Sequence, residues 1–171
     1  MVTDLVASIE QATGSRPLGW YTGRLSPNTR RLVVEQGGFT YFADSYADDL
    51  PYYLPVRTDA GVTPLLVVPY TLDANDARFA TPQGFNSGDQ FFTYLKDAFD
   101  VLYAEGDPHG LNAPKMLSVG LHCRLVGRPG RAAALARFLD YVREHEAAWI
   151  TRRIDIARHW LATHPPADVE A

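Results

Sequence analysis

Apolar residues recur at helical spacing in several stretches of this chain and run together in shorter ones between them. Leu5, Val6 and Ile9 predict a helix over residues 3–12. Arg16-Pro17-Leu18 breaks it, and Gly19-Trp20-Tyr21 reads as a short strand. Ser26-Pro27 supplies an N-cap followed by proline at the first helical position, so a helix is expected over residues 27–36, stopped by Gly37-Gly38. Residues 39–42 read as a second strand. Residues 43–64 carry Asp44, Asp48, Asp49, Pro51 and Pro55 and read as a long loop, with a possible strand near residues 52–56. Leu65-Leu66-Val67-Val68 is an unbroken apolar run closed by Pro69, the pattern of a strand buried on both faces. A second long loop covers residues 71–88.

The second half repeats the alternation. Ser87 and Gln90 form a capping-box pair ahead of a helix whose stripe is Phe92, Leu95, Phe99 and Leu102. Gly106-Asp107-Pro108 ends it. Residues 116–121 predict a fourth clear strand. Residues 132–146 predict a helix with Leu135, Phe138, Leu139 and Val142 on one face. Trp149-Ile150 reads as a short strand, and residues 154–162 as a last helix before His164-Pro165-Pro166. Strands alternating with helices imply a parallel sheet with right-handed crossovers and outer helices. A complete (β/α) barrel takes about 250 residues. This chain has 171, about half the repeating units of such a fold. A partial (β/α) barrel is therefore expected, with exposed sheet borders that predict self-association.

Composition narrows the partners. Hydrophobic residues make up 46% and charged residues 21%, an ordinary globular balance for one domain. The net charge of -4 gives no basic stripe for nucleic acid. No window approaches the ~20 apolar residues of a membrane span. Residues 1–14 include Asp4 and Glu10 and lack the apolar block of a secretory leader. One cysteine makes no internal disulfide, which fits a reducing, cytoplasmic setting.

Candidate chemistry gathers in three places. The apolar run at residues 116–121 ends in His122, Cys123 and Arg124, the strand-end position from which α/β enzymes present catalytic side chains. His122 reads either as a general acid or base, suited by its ordinary pKa of ~6.5, or as a histidine satisfied by a loop carbonyl. Adjacent strand residues point to opposite faces, so Cys123 is not expected to meet it, and a buried inert thiol is the commoner case. Residues 20–29 place Trp20, Tyr21 and Arg24 between a strand end and a helix start. There Arg24 either clamps a carboxylate or lies exposed over a capped helix. Tyr46-Ala-Asp48-Asp49-Leu-Pro-Tyr52 puts two acids beside aromatic rings, to tune a catalytic group or simply to sit in solvent. Asn75-Asp76 and the Asn86 loop either reach the same pocket or cap turns. The five histidines form no close pair, so no metal site is expected; His145 and His159 read as surface residues.

Taken together, residues 19–34 (Gly-Trp-Tyr-Thr-Gly-Arg-Leu-Ser-Pro-Asn-Thr-Arg-Arg-Leu-Val-Val), Asp48-Asp-Leu-Pro-Tyr52, Val68-Pro-Tyr-Thr-Leu72, residues 84–92 and residues 120–131 resemble the second half of the polysaccharide-deacetylase (NodB-homology) superfamily. Within it they are most similar to the metal-independent allantoinase branch, the urate-catabolism proteins. The likeness runs from about Leu5 to Pro165. It implies half of a distorted barrel, no cofactor, and hydrolysis of a cyclic amide, allantoin opening to allantoate. On the same resemblance Arg24 stands where an arginine orients the catalytic carboxylate. Asp48 or Asp49 stands in the motif that supports that arginine, with Asp49 the catalytic candidate. His122 stands at the proposed general acid. Trp20, Tyr21, Asp48, Tyr52, Asn86 and Arg124 are the expected substrate-binding residues. The superfamily's first two motifs, an Asp pair and a His-x-x-x-His pair in many members, belong to the first half of the barrel. The likeness starts after them, and no residue is assigned as the base. The chain is thus expected to be a truncated reading frame, a split gene product or a fragment, working as a homo-oligomer or with a partner half-barrel. The rival readings are an N-acetyl-sugar deacetylase, which would need a metal, and an inactive remnant.

Overall fold

The computed structural model describes residues 2–166 of the chain. It is a mixed α/β fold with a four-stranded sheet that is not closed. The chain packs as two compact units, Met1–Pro69 with Thr151–Ala171, and Tyr70–Ile150. Among the described residues no helix is long and apolar enough to cross a membrane.

The first unit holds helix α1 (Val2–Thr13), strand β1 (Gly19–Trp20), helix α2 (Thr29–Gln36), and strands β2 (Tyr41–Phe42), β3 (Tyr52–Thr58) and β4 (Gly61–Val67). The sheet order is β1-β2-β4-β3. β1, β2 and β4 are parallel, as the alternating pattern predicts. β3 is antiparallel to β4, which corrects the expectation of an all-parallel sheet. The reason is the connection: Asp59 and Ala60 alone join the strands, and two residues can only turn a chain back on itself. Both strands are longer than the apolar run suggests. Pro55 and Pro64 face each other across the pair, at a position where neither strand asks its neighbour for an N–H. The core of this unit is Val33, Phe42, Val56, Leu65 and Val67, with Trp20 and Phe39, edge to face with each other, packed against it. Gly19 is required here, since a Cβ would lie 2.2 Å from the Tyr41 ring. α2 starts at Thr29 rather than residue 27. Ser26 bonds the Thr29 hydroxyl (2.9 Å) instead of capping the helix. Gly37, in the left-handed region, ends it as expected. Helix α6 (Arg153–Thr163) follows the second unit in sequence.

The second unit is a helical pair over an irregular chain. It contains a 3-10 turn (Asp76–Ala80), α3 (Gly88–Glu105), the single turn α4 (Cys123–Val126) and α5 (Pro129–Arg143). Ser87 caps α3 by accepting from the Gln90 N–H, while Gln90 reaches one residue further back, to the Asn86 N–H. The core is Phe85, Phe91, Leu95, Phe99, Ala134, Phe138 and Val142. Both stripes are rotated from the predicted ones: Phe91 replaces Phe92, and Ala134 goes inside while Leu139 is 40% exposed. Small residues cause the rotation. A Cβ on Gly88 would lie 2.7 Å from the Gly130 carbonyl and 3.1 Å from the Ala134 Cβ, so the helices meet along their least bulky line.

Two expected strands are absent. Residues 116–121 form no strand and bridge only at Gly120 to Asn75, because the chain they lie against is itself irregular. Trp149-Ile150 is irregular chain with both side chains more than half exposed. His145 is not a surface residue. Its ring sits among Phe99, Tyr103 and Tyr141, 4.7–4.9 Å between centroids, and its Nδ1 bonds the Tyr141 carbonyl.

Candidate active site

His122 ends the apolar run in the second unit and is the residue before α4. The backbone at Gly120 pairs with residues 74–76. The Gly120 N–H donates to the Ala74 carbonyl (2.8 Å), and the Asp76 N–H donates to the Gly120 carbonyl (2.9 Å). This pairing brings Asp76 under the histidine. Asp76 is completely buried. Its Oδ1 lies 2.6 Å from His122 Nδ1, and its Oδ2 accepts from the His122 N–H (2.8 Å) and the Val126 N–H (3.0 Å). A buried carboxylate needs such donors to remain where it is. An ionised carboxylate only accepts, so Nδ1 carries the proton of the pair and Nε2 carries the lone pair in the neutral ring. The His122 side chain is 35% exposed. The arrangement yields one imidazole with its tautomer and orientation fixed and its second nitrogen left to exchange a proton.

In the first unit the turn after β1 is held by another aspartate. Asp44 follows β2 and is buried. Its Oδ1 accepts from the Gly23 N–H (2.6 Å), and its Oδ2 accepts from the Thr22 N–H (2.8 Å) and lies 3.0 Å from the Thr22 hydroxyl. Gly23 takes the left-handed conformation that the turn requires. The Thr22 hydroxyl also lies 3.3 Å from the Arg24 carbonyl, so the backbone of Arg24 is tied in while its side chain is exposed. The turn lies beyond the carboxyl ends of β1 and β2, where open parallel sheets present functional groups.

The predicted residues divide between the units. Trp20, Tyr21, Arg24, Asp48, Asp49 and Tyr52 lie in the first, and Asn86, His122 and Arg124 in the second. Trp20 is half-buried against the sheet core. Tyr21 is exposed, its hydroxyl 3.3 Å from that of Tyr46. Tyr52 bonds Ser45 Oγ at 2.5 Å. Asp48 and Asp49 are exposed, and Asp48 Oδ1 accepts from the Asp49 and Leu50 N–H groups, closing its own turn. It is Asp44, not this pair, that ties down residues 22–24. Asn86 and Arg124 are exposed. Cys123 is exposed rather than buried, because the chain leaves the apolar run there and enters α4.

Reasoning from sequence weighs Asp76 only as a turn residue or a pocket neighbour, and Asp44 only as one acid of a loop. The one local signal for Asp44 is an acid just past a strand end, and for Asp76 an acid that opens a 3-10 turn. Among the described residues, no three His, Cys, Asp or Glu side chains gather where they could hold a metal ion.

No family model matches the chain. A Schizosaccharomyces pombe protein named "Putative polysaccharide deacetylase" is 44% identical over 172 residues, covering 94% of this chain and 53% of that protein. The crystal structure of Puue allantoinase superposes with a TM-score of 0.88 at 62% identity, over 97% of this chain and 53% of that one. A "probable Polysaccharide deacetylase" from Pseudomonas aeruginosa PAO1 gives 0.88 at 59% identity, over 96% of this chain and 53% of that one. A Mycobacterium smegmatis structure at 24% identity shares the fold, with a TM-score of 0.78. The chain spans about half the length of each relative.

Proposed function

We propose, on the premise that the homologues of this chain are polysaccharide deacetylase family members that include an allantoinase, that it carries the proton-donating half of a cyclic-amide hydrolase. Residues 1–171 are read as the second half of a deacetylase-like domain, and the open sheet as part of a distorted barrel. The substrate is a small hydantoin of the allantoin type.

In the reaction, water attacks the ring carbonyl carbon and passes a proton to the unassigned base. The tetrahedral centre then collapses, the C–N bond breaks, and the departing nitrogen takes a proton from Nε2 of the His122 imidazolium, which is left as the neutral ring with its proton on Nδ1 and regains the Nε2 proton from solvent. That transfer is worth about 10²–10⁴-fold in rate. Asp76 keeps Nδ1 protonated throughout, so only Nε2 exchanges. Arg24 clamps a carboxylate as a bidentate donor. Asp49 flanks it. In the first unit Trp20, Tyr21 and Tyr52 provide apolar surface and Asp48 a polar group for a substrate, and in the second Asn86 and Arg124 provide polar groups. The water-activating base is assigned to no residue of this chain, and its other half is expected from a second chain or a second copy. No cofactor is used, and the setting is cytoplasmic.

The observation that carries this reading is the buried Asp76 holding His122 by one ring nitrogen. Allantoate release by the purified chain, with His122→Ala lowering the rate by about 10²-fold or more, is the expected result. No turnover, or turnover indifferent to His122→Ala, overturns it. The names of two relatives favour a second reading, release of acetate from an N-acetylated sugar, with His122 protonating the departing amine. That chemistry would need a metal, and among the described residues no three His, Cys, Asp or Glu side chains gather to hold one. Zinc-dependent acetate release without allantoate release would select it.

A further inference from the structure

The Asp76–His122 pair depends on a side chain that touches neither carboxylate nor ring in the contacts described above. Asn75 is half-buried and precedes Asp76. Its Oδ1 accepts from the Ala77 N–H (2.7 Å), which starts the 3-10 turn carrying Asp76. Its Nδ2 donates to the Tyr70 hydroxyl (3.2 Å). Its backbone is the partner of Gly120 in the single bridge between the two segments. A Cβ on Gly120 would lie 2.0 Å from the Tyr70 hydroxyl and 2.5 Å from Asn75 Nδ2. The amide and the phenol therefore lie directly on the bare α-carbon two residues before the histidine.

This contact shares what a strand ladder does elsewhere with two others, the Ser118 N–H donated to Thr71 Oγ1 (3.0 Å) and the His122 N–H donated to Asp76 Oδ2 (2.8 Å). A ladder fixes alignment through many repeated pairs. Here there is one bridge, and a slip of one residue would carry the histidine about 3.3 Å along the chain. That distance exceeds the whole Nδ1–Oδ1 contact of 2.6 Å. We infer that Asn75 is a positioning residue for His122: its amide, seated between Tyr70 and Gly120, aligns residues 118–122 with residues 74–76 and so keeps Asp76 Oδ1 on the ring nitrogen. The catalytic meaning of that alignment rests on the acid role proposed for His122; the alignment itself does not.

Capping and alignment separate by substitution. Asn75→Ser keeps an oxygen for the Ala77 N–H and removes the amide. Tyr70→Phe leaves Asn75 intact and removes only the hydroxyl it donates to. The measurement is ¹⁵N NMR of the histidine imidazoles in the whole chain, at a pH where the rings are neutral, with the His122 signals assigned by their loss in His122→Gln. The native chain should show His122 with its proton on Nδ1, and Asp76→Asn should lose that preference. Asn75→Ser should move His122 to a mixture of tautomers with the far-ultraviolet circular dichroism unchanged. Tyr70→Phe should move it less, in the same direction. If Asn75→Ser unfolds the chain, the Tyr70→Phe result decides. A native-like His122 spectrum in Asn75→Ser, or in Tyr70→Phe where that variant decides, overturns the inference. A chain that shifts tautomer as described but releases no allantoate leaves the inference standing and removes the function proposed above.

Discussion

Asp44 and Asp76 are the two buried charged side chains among the described residues, and both take three hydrogen-bond donors. They spend them differently. Asp44 gives all its capacity to one turn: two backbone N–H groups and the hydroxyl of Thr22. Asp76 gives one oxygen to two backbone N–H groups and the other to an imidazole. The first arrangement fixes a backbone and leaves the Arg24 side chain exposed. The second fixes a side chain, ring plane and tautomer included. A buried carboxylate with three donors is therefore not by itself a sign of chemistry. What separates the two is whether a donor belongs to a group that can change its protonation in use.

The largest effect should come from Asp76→Ala. It deletes three hydrogen bonds and strands the His122 and Val126 N–H groups, a loss of about 3 kcal/mol at about 1 kcal/mol each, read by urea unfolding. If the hydrolytic reading is right, turnover falls by about 10²–10⁴-fold. Asp44→Ala should cost about 1–2 kcal/mol, because Thr22 and Gly23 are exposed and their freed N–H groups reach water. It should leave the His122 imidazole spectrum untouched, and a changed spectrum would break the contrast drawn between the two sites.

The smallest effect concerns a carboxylate outside both. Burial pushes the Asp100 carboxyl up, but hydrogen bonds from Lys96 and the Tyr141 hydroxyl, with the Lys96 charge, outweigh it and hold the group below its ordinary value. A depressed native value means stability that is present above the unfolded value and fades as pH falls through the native one. Asp100→Asn should therefore flatten the acid side of the stability profile below about pH 4 and change little at neutrality, since the ion pair is over a third exposed. An acid limb identical to the native one would show that this pair stores nothing.

Helices are the most legible part of the sequence. Residues spaced by three and four mark α1, α3, α5 and α6, Ser87 marks the start of α3 and Gly37 the end of α2. The face is less legible than the helix. Phe91 and Phe92 are equal candidates by hydrophobicity, and only the approach allowed by Gly88, Gly130 and Ala134 selects between them. The β3–β4 hairpin is half hidden because Pro64 looks like a strand boundary when its partner is unknown. His122 stands out because it ends an apolar run. Asp76 does not, because an acid after an asparagine at the start of a helical turn looks the same whether it serves the turn or a residue 46 positions away. Separation along the chain, rather than residue type, hides half of the pair.

Pro55 opposite Pro64 has a kinetic meaning beyond the finished sheet. As the hairpin closes, many alignments offer similar apolar contact. Only those that keep both prolines at non-bonding positions satisfy every N–H the two segments present to each other. Misaligning by one residue would put a nitrogen without hydrogen where a donor is wanted. The two rings thus narrow the alignments in which the hairpin can close without losing a hydrogen bond.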